Sequence, residues 1–197
     1  MMYENFEPEL KGKTALRIEL YDWLESAVFA VVCMIMVFTF IGRMVSVDGD
    51  SMLPTLHDED RLISSRLFYE PQRDDIVVIT KPNDRSEPLI KRVIATEGET
   101  VDIDFELGII TVDGVVLDEP FIMETTHNRF DMEFPQTVPE GHVFVMGDNR
   151  NNSWDSRALA VGMIDERYIL GRVLYRVTPF DKMGSPDAYW KNEETDQ

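Results

Sequence analysis

Leu89-Ile90-Lys91-Arg92-Val93-Ile94-Ala95 is the stretch that decides the fold of this chain. The run is short and rich in β-branched side chains, which predicts a β-strand. Successive side chains of a strand point to opposite faces, so Lys91 shares its face with Leu89 and Val93. The strand therefore places an amine among apolar neighbours.

Short segments of the same kind recur on both sides of this strand. Turn-forming residues separate them, including a tight Asp113-Gly114 pair that predicts a hairpin. Further strands are expected at 60–65, 75–80, 101–104, 109–112, 115–117, 143–146 and 173–177. The pattern predicts a mainly β fold, with an antiparallel β-rich domain over residues 47–180. Residues 119–141 are expected to form a surface excursion, and residues 181–197 a loose polar tail.

An apolar run precedes the predicted β domain. Residues 26–41 carry no charge, and the flanking residues to position 46 extend them to about 20 residues, the length of a membrane span. The start is acidic and the exit around Arg43 is a poor cleavage site, so an uncleaved transmembrane helix over 26–46 is favoured over a cleaved signal peptide. Residues 1–25 are predicted to form a cytoplasmic tail and an amphipathic helix, because more basic residues precede the span than follow it.

Composition excludes several classes of function. The net charge of -18 over 197 residues argues against nucleic-acid binding, which needs a basic surface. Cys33 is the only cysteine, so no intramolecular disulfide can form. The three histidines, His57, His127 and His142, are scattered without ligand spacing. We therefore expect no metal and no cofactor.

Val47-Asp48-Gly49-Asp50-Ser51-Met52-Leu53-Pro54-Thr55-Leu56 follows the apolar run directly. Gly49 allows a sharp turn, and Pro54 prevents a regular helix, so the chain can present the Ser51 hydroxyl. Taken alone, the stretch is an ordinary polar loop. A Ser-His-Asp arrangement with His57 is conceivable, but that histidine lies in an acidic loop and is interpreted as a surface residue.

Lys91 and a polar loop are the other candidates for chemistry. If the face of Lys91 is buried, desolvation would lower the pKa of its amine, which could then act as a general base toward a serine. The alternative is an edge strand that the lysine protects from aggregation. The loop 147–157 carries Asp148 and Asp155, either of which could pair with Arg157, and Ser153 and Ser156, either of which could hold an amine.

Together these stretches resemble the signature segments of type I signal peptidases. The matching segments are Gly49 to Leu56, Lys91-Arg92-Val93-Ile94 and Gly147-Asp148-Asn149-Arg150 through Ser153-Trp154-Asp155-Ser156-Arg157, with Arg73-Asp74-Asp75-Ile76-Val77-Val78 as a fourth. Four segments in the right order, after an apolar run, make a specific resemblance. It covers residues 28–179 and is closest to the single-span form of Gram-positive bacteria.

The resemblance implies a role for each matching residue. Ser51 would be the nucleophile and Lys91 the general base. Ser153 would orient the amine, while Asp148, Asp155 and Arg157 would support the loop. Gly49, Asp50 and Met52 would lie on the substrate and oxyanion side, with the Ser51 N–H as oxyanion donor. Some family members have a serine hydroxyl where this chain has Gly49, so a second donor is not identified.

The resemblance also implies a membrane-bound serine endopeptidase that removes signal peptides from exported pre-proteins. It would be single-pass in the cell membrane, in contact with lipid, with its catalytic domain extracytoplasmic and no nucleic acid or metal as partner. Two alternatives stay open. One is a dedicated processing peptidase for a narrow class of surface proteins; the other is an inactive membrane-anchored β domain that binds partners. Soluble Ser-Lys self-cleaving repressors are disfavoured by the apolar run.

Overall fold

The structure, a computed structural model, describes residues 7–40, 42–80 and 88–186, with the side chains of its long helix described over 19–36. The chain divides into two compact units, residues 1–41 and 42–197. The predicted boundary at residue 47 lies within the second of these units.

The first unit is a single α-helix, α1, from Glu7 to Phe40. It begins within the stretch predicted as a tail, and the predicted amphipathic and apolar segments are continuous in it. The apolar side chains of residues 20–36 are exposed on all sides of the helix. Among the residues that the structure describes, no helix combines the length and apolar character needed to cross a membrane.

The predicted extension of the helix to residue 46 is wrong. Arg43–Ser46 forms a strand, β1, that pairs antiparallel with β2, Arg61–Ser65. The Val47 N–H continues this pairing by donating to the Asp60 carbonyl at 2.8 Å. The backbone groups of these residues are thus satisfied by a neighbouring strand and not by a helix.

The described residues of the second unit form eleven strands in two sheets. The remaining strands are β3 Ile76–Ile79, β4 Leu89–Ala95, β5 Thr100–Asp104, β6 Ile109–Val112, β7 Val115–Val116, β8 Gln136–Thr137, β9 His142–Met146, β10 Ile164–Asp165 and β11 Ile169–Thr178. A seven-stranded sheet has the order β1-β2-β11-β3-β4-β9-β10, and a four-stranded sheet the order β7-β6-β5-β8. Every pairing is antiparallel, which confirms the predicted mainly β class.

Strand β4 lies inside the large sheet, between β3 and β9. Lys91 is opposite Val77 on β3, and Arg92 is opposite Met146 on β9. Both faces of β4 are covered, since Val93 packs in one core cluster and Ile90 in another. The alternative of an edge strand guarded by Lys91 is therefore wrong.

The small sheet contains the predicted hairpin. β6 and β7 are joined at Asp113 and Gly114, whose φ angles of 51° and 77° give the left-handed turn that such hairpins need. The segment predicted as a surface excursion, 119–141, is largely exposed, but Phe121, Thr126 and Met132 are buried. This segment lacks regular pairing apart from β8, yet these side chains pack into the domain.

The C-terminal segment is also more ordered than predicted. Arg176 on β11 pairs with Gly184 through hydrogen bonds of 2.7 and 3.2 Å, and its Nε donates to the Lys182 carbonyl at 2.8 Å. Residues 181–186 thus fold back on β11. The rest of the predicted tail, 187–197, lies outside the described residues.

Candidate active site

The structure brings Ser51 and Lys91 together from positions 40 residues apart. Lys91 Nζ lies 2.6 Å from Ser51 Oγ, and it also donates to the Ile90 carbonyl at 3.0 Å. Lys91 is only 3% exposed, whereas Ser51 is half-buried. An amine and a hydroxyl at this distance are within reach of direct proton transfer.

The loop around Ser51 is a series of tight turns. Leu53 N–H donates to the Asp50 carbonyl at 3.2 Å, and Leu56 N–H to the Met52 carbonyl at 2.9 Å. Gly49 has a φ of 84°, in the left-handed region that favours glycine. Met52 is buried beneath the serine, in the same core cluster as Ile90 of β4. Packing of Met52 therefore links the serine loop to the lysine strand.

The loop that follows β9 holds the serine loop by its backbone. Asn149 N–H donates to the Ser51 carbonyl at 3.1 Å, and Asn149 Nδ2 to the Asp50 carbonyl at 3.0 Å. Gly147 lies still closer: a Cβ at this position would be 2.4 Å from the Ser51 carbonyl oxygen and 2.3 Å from Ser153 Oγ. Only glycine fits between the two serines.

A buried ion pair joins three of the four signature segments. Arg92 donates to Asp148 through Nε and Nη2, both at 2.8 Å, in a bidentate geometry. Thr55 Oγ1 donates to the same carboxylate at 2.5 Å. Arg92 follows the lysine, Thr55 belongs to the serine loop, and Asp148 opens the third segment. The pair therefore fixes the relative positions of the strands and loops that carry Ser51 and Lys91.

A second buried pair supports the loop from within. Arg157 binds Asp155 at 2.8 Å (Nε to Oδ1) and 2.9 Å (Nη2 to Oδ2), and also donates to the Arg150 and Ser153 carbonyls at 2.6 and 3.3 Å. Asp155 in turn accepts the Gly147 N–H at 3.1 Å. Of the two pairings left open for Arg157, the structure has the one with Asp155, because Asp148 is bound to Arg92.

Ser153 is buried beside Gly147, and its hydroxyl forms no hydrogen bond within the described part of the chain. Its predicted role toward the Lys91 amine stays a prediction. Ser156, the other candidate, accepts the Val145 N–H at 3.0 Å and serves the end of β9. Ser153 is therefore the serine of this loop whose hydroxyl is available to a neighbouring group.

A groove runs past Ser51 and Lys91. Ser46, at the end of β1, and Asp48, just after it, lie on one wall, and Pro88 begins the other wall. The residues that line it are Ser46, Val47, Asp48, Ser51, Met52, Pro88, Leu89, Ile90 and Lys91. Besides Ser51 and Lys91, the lining combines five apolar residues with the polar side chains of Ser46 and Asp48.

His57 does not take part in this site. It is exposed and lines a different cavity, with Asp58, Asp60 and Lys182. Its backbone N–H donates to Asp60 at 3.1 Å. Within residues 7–40, 42–80 and 88–186, no group of three metal-ligating side chains converges.

The fourth segment, 73–78, leads into β3. Asp75 is buried and accepts hydrogen bonds from the Tyr69 hydroxyl at 2.9 Å and the Gln72 N–H at 3.1 Å. Arg172 of β11 lies 3.0 Å from the same carboxylate. Burial, with the Asp75 charge beside it, raises the pKa of the Tyr69 phenol, so this hydroxyl stays a donor. The segment anchors a turn and contributes no group to the groove.

Sequence reasoning missed four residues that build the site: Thr55, Arg92, Asn149 and Arg150. Arg150 is fully buried and donates from Nε to the Gly147 carbonyl at 3.0 Å. All four lie inside the signature segments, and that location was the sequence signal that could have pointed to them. Their partners lie on other segments, and the sequence does not indicate which ones meet.

The chain is similar to known proteins over the part that contains these segments. The family described as "Signal peptidase, peptidase S26" matches residues 20–178. The chain belongs to this signal peptidase family. It is thus a peptidase, as the sequence predicted.

Individual relatives cover most of the chain. A probable signal peptidase I-1 from Synechocystis is 37% identical over 170 residues, which cover 81% of this chain and 83% of that protein. Signal peptidase I from Bacillus licheniformis is 33% identical over 181 residues, 85% of this chain and 94% of that protein. A mitochondrial ATP-independent inner membrane protease subunit 1b from Arabidopsis thaliana is 36% identical over 159 residues, 78% of this chain and 81% of that protein.

Proposed function

We propose that this signal peptidase family member is a serine endopeptidase that removes N-terminal signal peptides from exported pre-proteins. Ser51 is the nucleophile and Lys91 the general base. The observation that carries the proposal is the 2.6 Å contact between Lys91 Nζ and Ser51 Oγ, with the lysine buried in an interior strand. Family membership and the names of the relatives support the substrate class.

The chemistry follows from the surroundings of the amine. A buried amine favours its neutral form, which can accept a proton. Lys91 takes the proton of the Ser51 hydroxyl as its oxygen attacks the scissile carbonyl, and then passes that proton to the leaving amine. Water hydrolyses the resulting acyl-enzyme. Ser153, whose buried hydroxyl lies next to the Ser51 backbone, orients the amine between these steps.

Oxyanion stabilisation is assigned to the Ser51 N–H, which has no acceptor among the described residues. A donor of this kind contributes roughly 3 kcal/mol to the transition state. Gly49 carries no hydroxyl, and its own N–H is held by Asp58 at 2.9 Å. The backbone of the serine loop is therefore the source of oxyanion binding in this proposal.

The groove between β1 and β4 receives the peptide. Its apolar residues, such as Val47, Met52 and Leu89, accept small, uncharged side chains next to the scissile bond. An extended peptide in this groove lies along backbone that can pair with it as a further strand. Signal peptide cleavage sites with small residues match this shape.

The N-terminal helix is assigned to membrane attachment, in a single-pass topology with the β domain extracytoplasmic. Its apolar side chains, such as Phe29, Val32 and Ile35, are exposed on all sides, and residues 26–41 carry no charge. We expect the double variant Val31→Lys, Val32→Lys to leave the membrane fraction on alkaline extraction. Retention of this variant at the level of the unmodified chain would contradict the assignment.

The dyad is tested with the full chain in detergent and a pre-protein substrate. Ser51→Ala and Lys91→Ala should reduce cleavage to background, and Lys91→Arg should do so too, because arginine stays charged at working pH. Ser65→Ala and Lys182→Ala are matched controls away from the groove. Cleavage by Ser51→Ala or Lys91→Ala at the control rate would sink the proposal.

The substrate range is tested with a panel of pre-proteins. Cleavage of many unrelated signal peptides supports general signal peptide removal. Cleavage of one class of surface protein alone would favour a dedicated processing peptidase. Absence of cleavage across the panel, with no acylation of Ser51, would favour the binding domain.

A further inference from the structure

The segment after β7 covers the back of the site with an aromatic ring. Phe121 is 6% exposed, and its ring centroid lies 4.0 Å from the guanidinium carbon of Arg92 and 5.9 Å from that of Arg150. Two residues earlier, the Glu119 carboxylate forms an ion pair with Arg150 at 2.7 Å, out of line for a hydrogen bond. One short segment thus contacts both arginines.

The two arginines bind neighbouring residues: the short stretch Gly147-Asp148. Arg150 Nε donates to the Gly147 carbonyl at 3.0 Å, and Arg92 holds the Asp148 carboxylate in bidentate fashion. Gly147 is the residue that fits between Ser51 and Ser153 without room for a Cβ. The placement of this stretch therefore sets how closely the serine loop approaches β4.

The ring acts on these arginines in two ways. It shields their guanidinium groups from water, which strengthens their bonds to Asp148 and to the Gly147 carbonyl. Its rigid face also limits where the guanidinium planes can lie, since a guanidinium stacks flat on an aromatic ring. An aliphatic side chain would fill the volume but would lack the electrostatic attraction of the π face.

We infer that Phe121 is a positioning residue for the Ser51–Lys91 pair, acting through Arg92 and Arg150. Glu119 supports it by pairing with Arg150. The ring does not line the groove, so it contributes to the rate of the chemical step and not to peptide binding. This inference rests on the proposed function, because its readout is the cleavage reaction.

Phe121→Leu keeps most of the side-chain volume but removes the aromatic face. We expect kcat for a signal peptide substrate to fall about tenfold with KM changed less than about twofold, as for loss of an interaction that matters in the transition state alone. Phe121→Tyr keeps the aromatic face and should restore most of kcat. Thermal unfolding of each variant is measured in parallel. The kcat values are measured at a temperature well below the unfolding midpoint of every variant.

Phe105 supplies the matched control. It is a partly buried ring with Arg129 at 5.8 Å from its centroid, and Arg129 is exposed and bound to Glu133, outside the network of the site. Phe105→Leu should lower the unfolding midpoint and leave kcat unchanged. A wild-type kcat in Phe121→Leu, an equal loss of kcat in Phe105→Leu, or a loss in Phe121→Tyr as large as in Phe121→Leu would overturn the inference. If the unmodified chain cleaves no pre-protein, the proposed function fails instead.

Discussion

Replacing Gly147 by alanine tests the geometry of the site most directly. The added Cβ would lie 2.4 Å from the Ser51 carbonyl oxygen and 2.3 Å from Ser153 Oγ. Non-bonded contacts of carbon need about 3.5 Å, so the serine loop and this residue must separate by about 1 Å. The backbone on both sides resists this movement, because Asp155 holds the Gly147 N–H and Arg150 holds its carbonyl.

The rate loss can be worked out from this displacement. A shift of about 1 Å would stretch the 2.6 Å contact of Ser51 Oγ with Lys91 Nζ beyond hydrogen-bond range. Misplacement of a reacting group by this distance costs on the order of 10²-fold in rate, or about 2.7 kcal/mol of transition-state stabilisation. Overpacking adds about 2 kcal/mol of destabilisation of the fold.

The assay is the initial rate of pre-protein cleavage in detergent, with a thermal unfolding curve for each variant. Gly98→Ala is the control: its φ of 81° strains the backbone of an alanine, but a Cβ there meets nothing within 4 Å, so this variant is destabilised without the close contacts of Gly147→Ala. We expect both variants to lose stability and Gly147→Ala alone to lose activity. If Gly147→Ala cleaves at the rate of Gly98→Ala, close packing at Gly147 does not set the distance between Ser51 Oγ and Lys91 Nζ.

Three further predictions concern buried and titrating groups. Thr55→Val keeps the volume but removes the 2.5 Å hydrogen bond to Asp148, so we expect about 2 kcal/mol less stability in a denaturant titration, together with slower cleavage. Asp60→Ala leaves the buried Arg176 without its partner at 3.1 Å, which should cost about 3 kcal/mol by the same titration. Burial, with nearby carboxylates adding, raises the pKa of Glu166 in the folded chain. Protonation therefore favours folding, and this contribution is full below the unfolded pKa and is lost as pH rises through the folded pKa. Glu166→Gln should raise the unfolding midpoint at pH 7 and not at pH 4, and an equal effect at both values would refute the sign.

The sequence-based predictions that the structure confirms rest on local patterns. Strand β4 and the hairpin at Asp113-Gly114 follow from short-range chemistry, and both are present. The pairing of Asp155 with Arg157, one of the two that the sequence left open, spans only two residues. The fold class follows from the repetition of such segments.

The errors arise where distant residues decide the outcome. Residues 43–46 continue an apolar run, but pairing with β2 makes them a strand. The segment 119–141 has little regular pattern, yet Phe121 is buried because two arginines from other segments offer it a surface. The partner of Asp148 is 56 residues away, and no periodicity in the sequence points to it. Long-range contacts of this kind are set by the sheet order and are absent from local propensity.

The order of strands in the large sheet also bears on how a newly made chain matures. β11, the most C-terminal of the described strands, lies between β2 and β3, which precede it by about a hundred residues. A nascent chain emerging N-terminus first has no interior strand to join these two until residue 178 has left the ribosome. The serine reaches the exit far ahead of the framework that would align it with the lysine. Alignment of Ser51 with Lys91 in the finished sheet therefore depends on a strand made about eighty residues after the lysine itself.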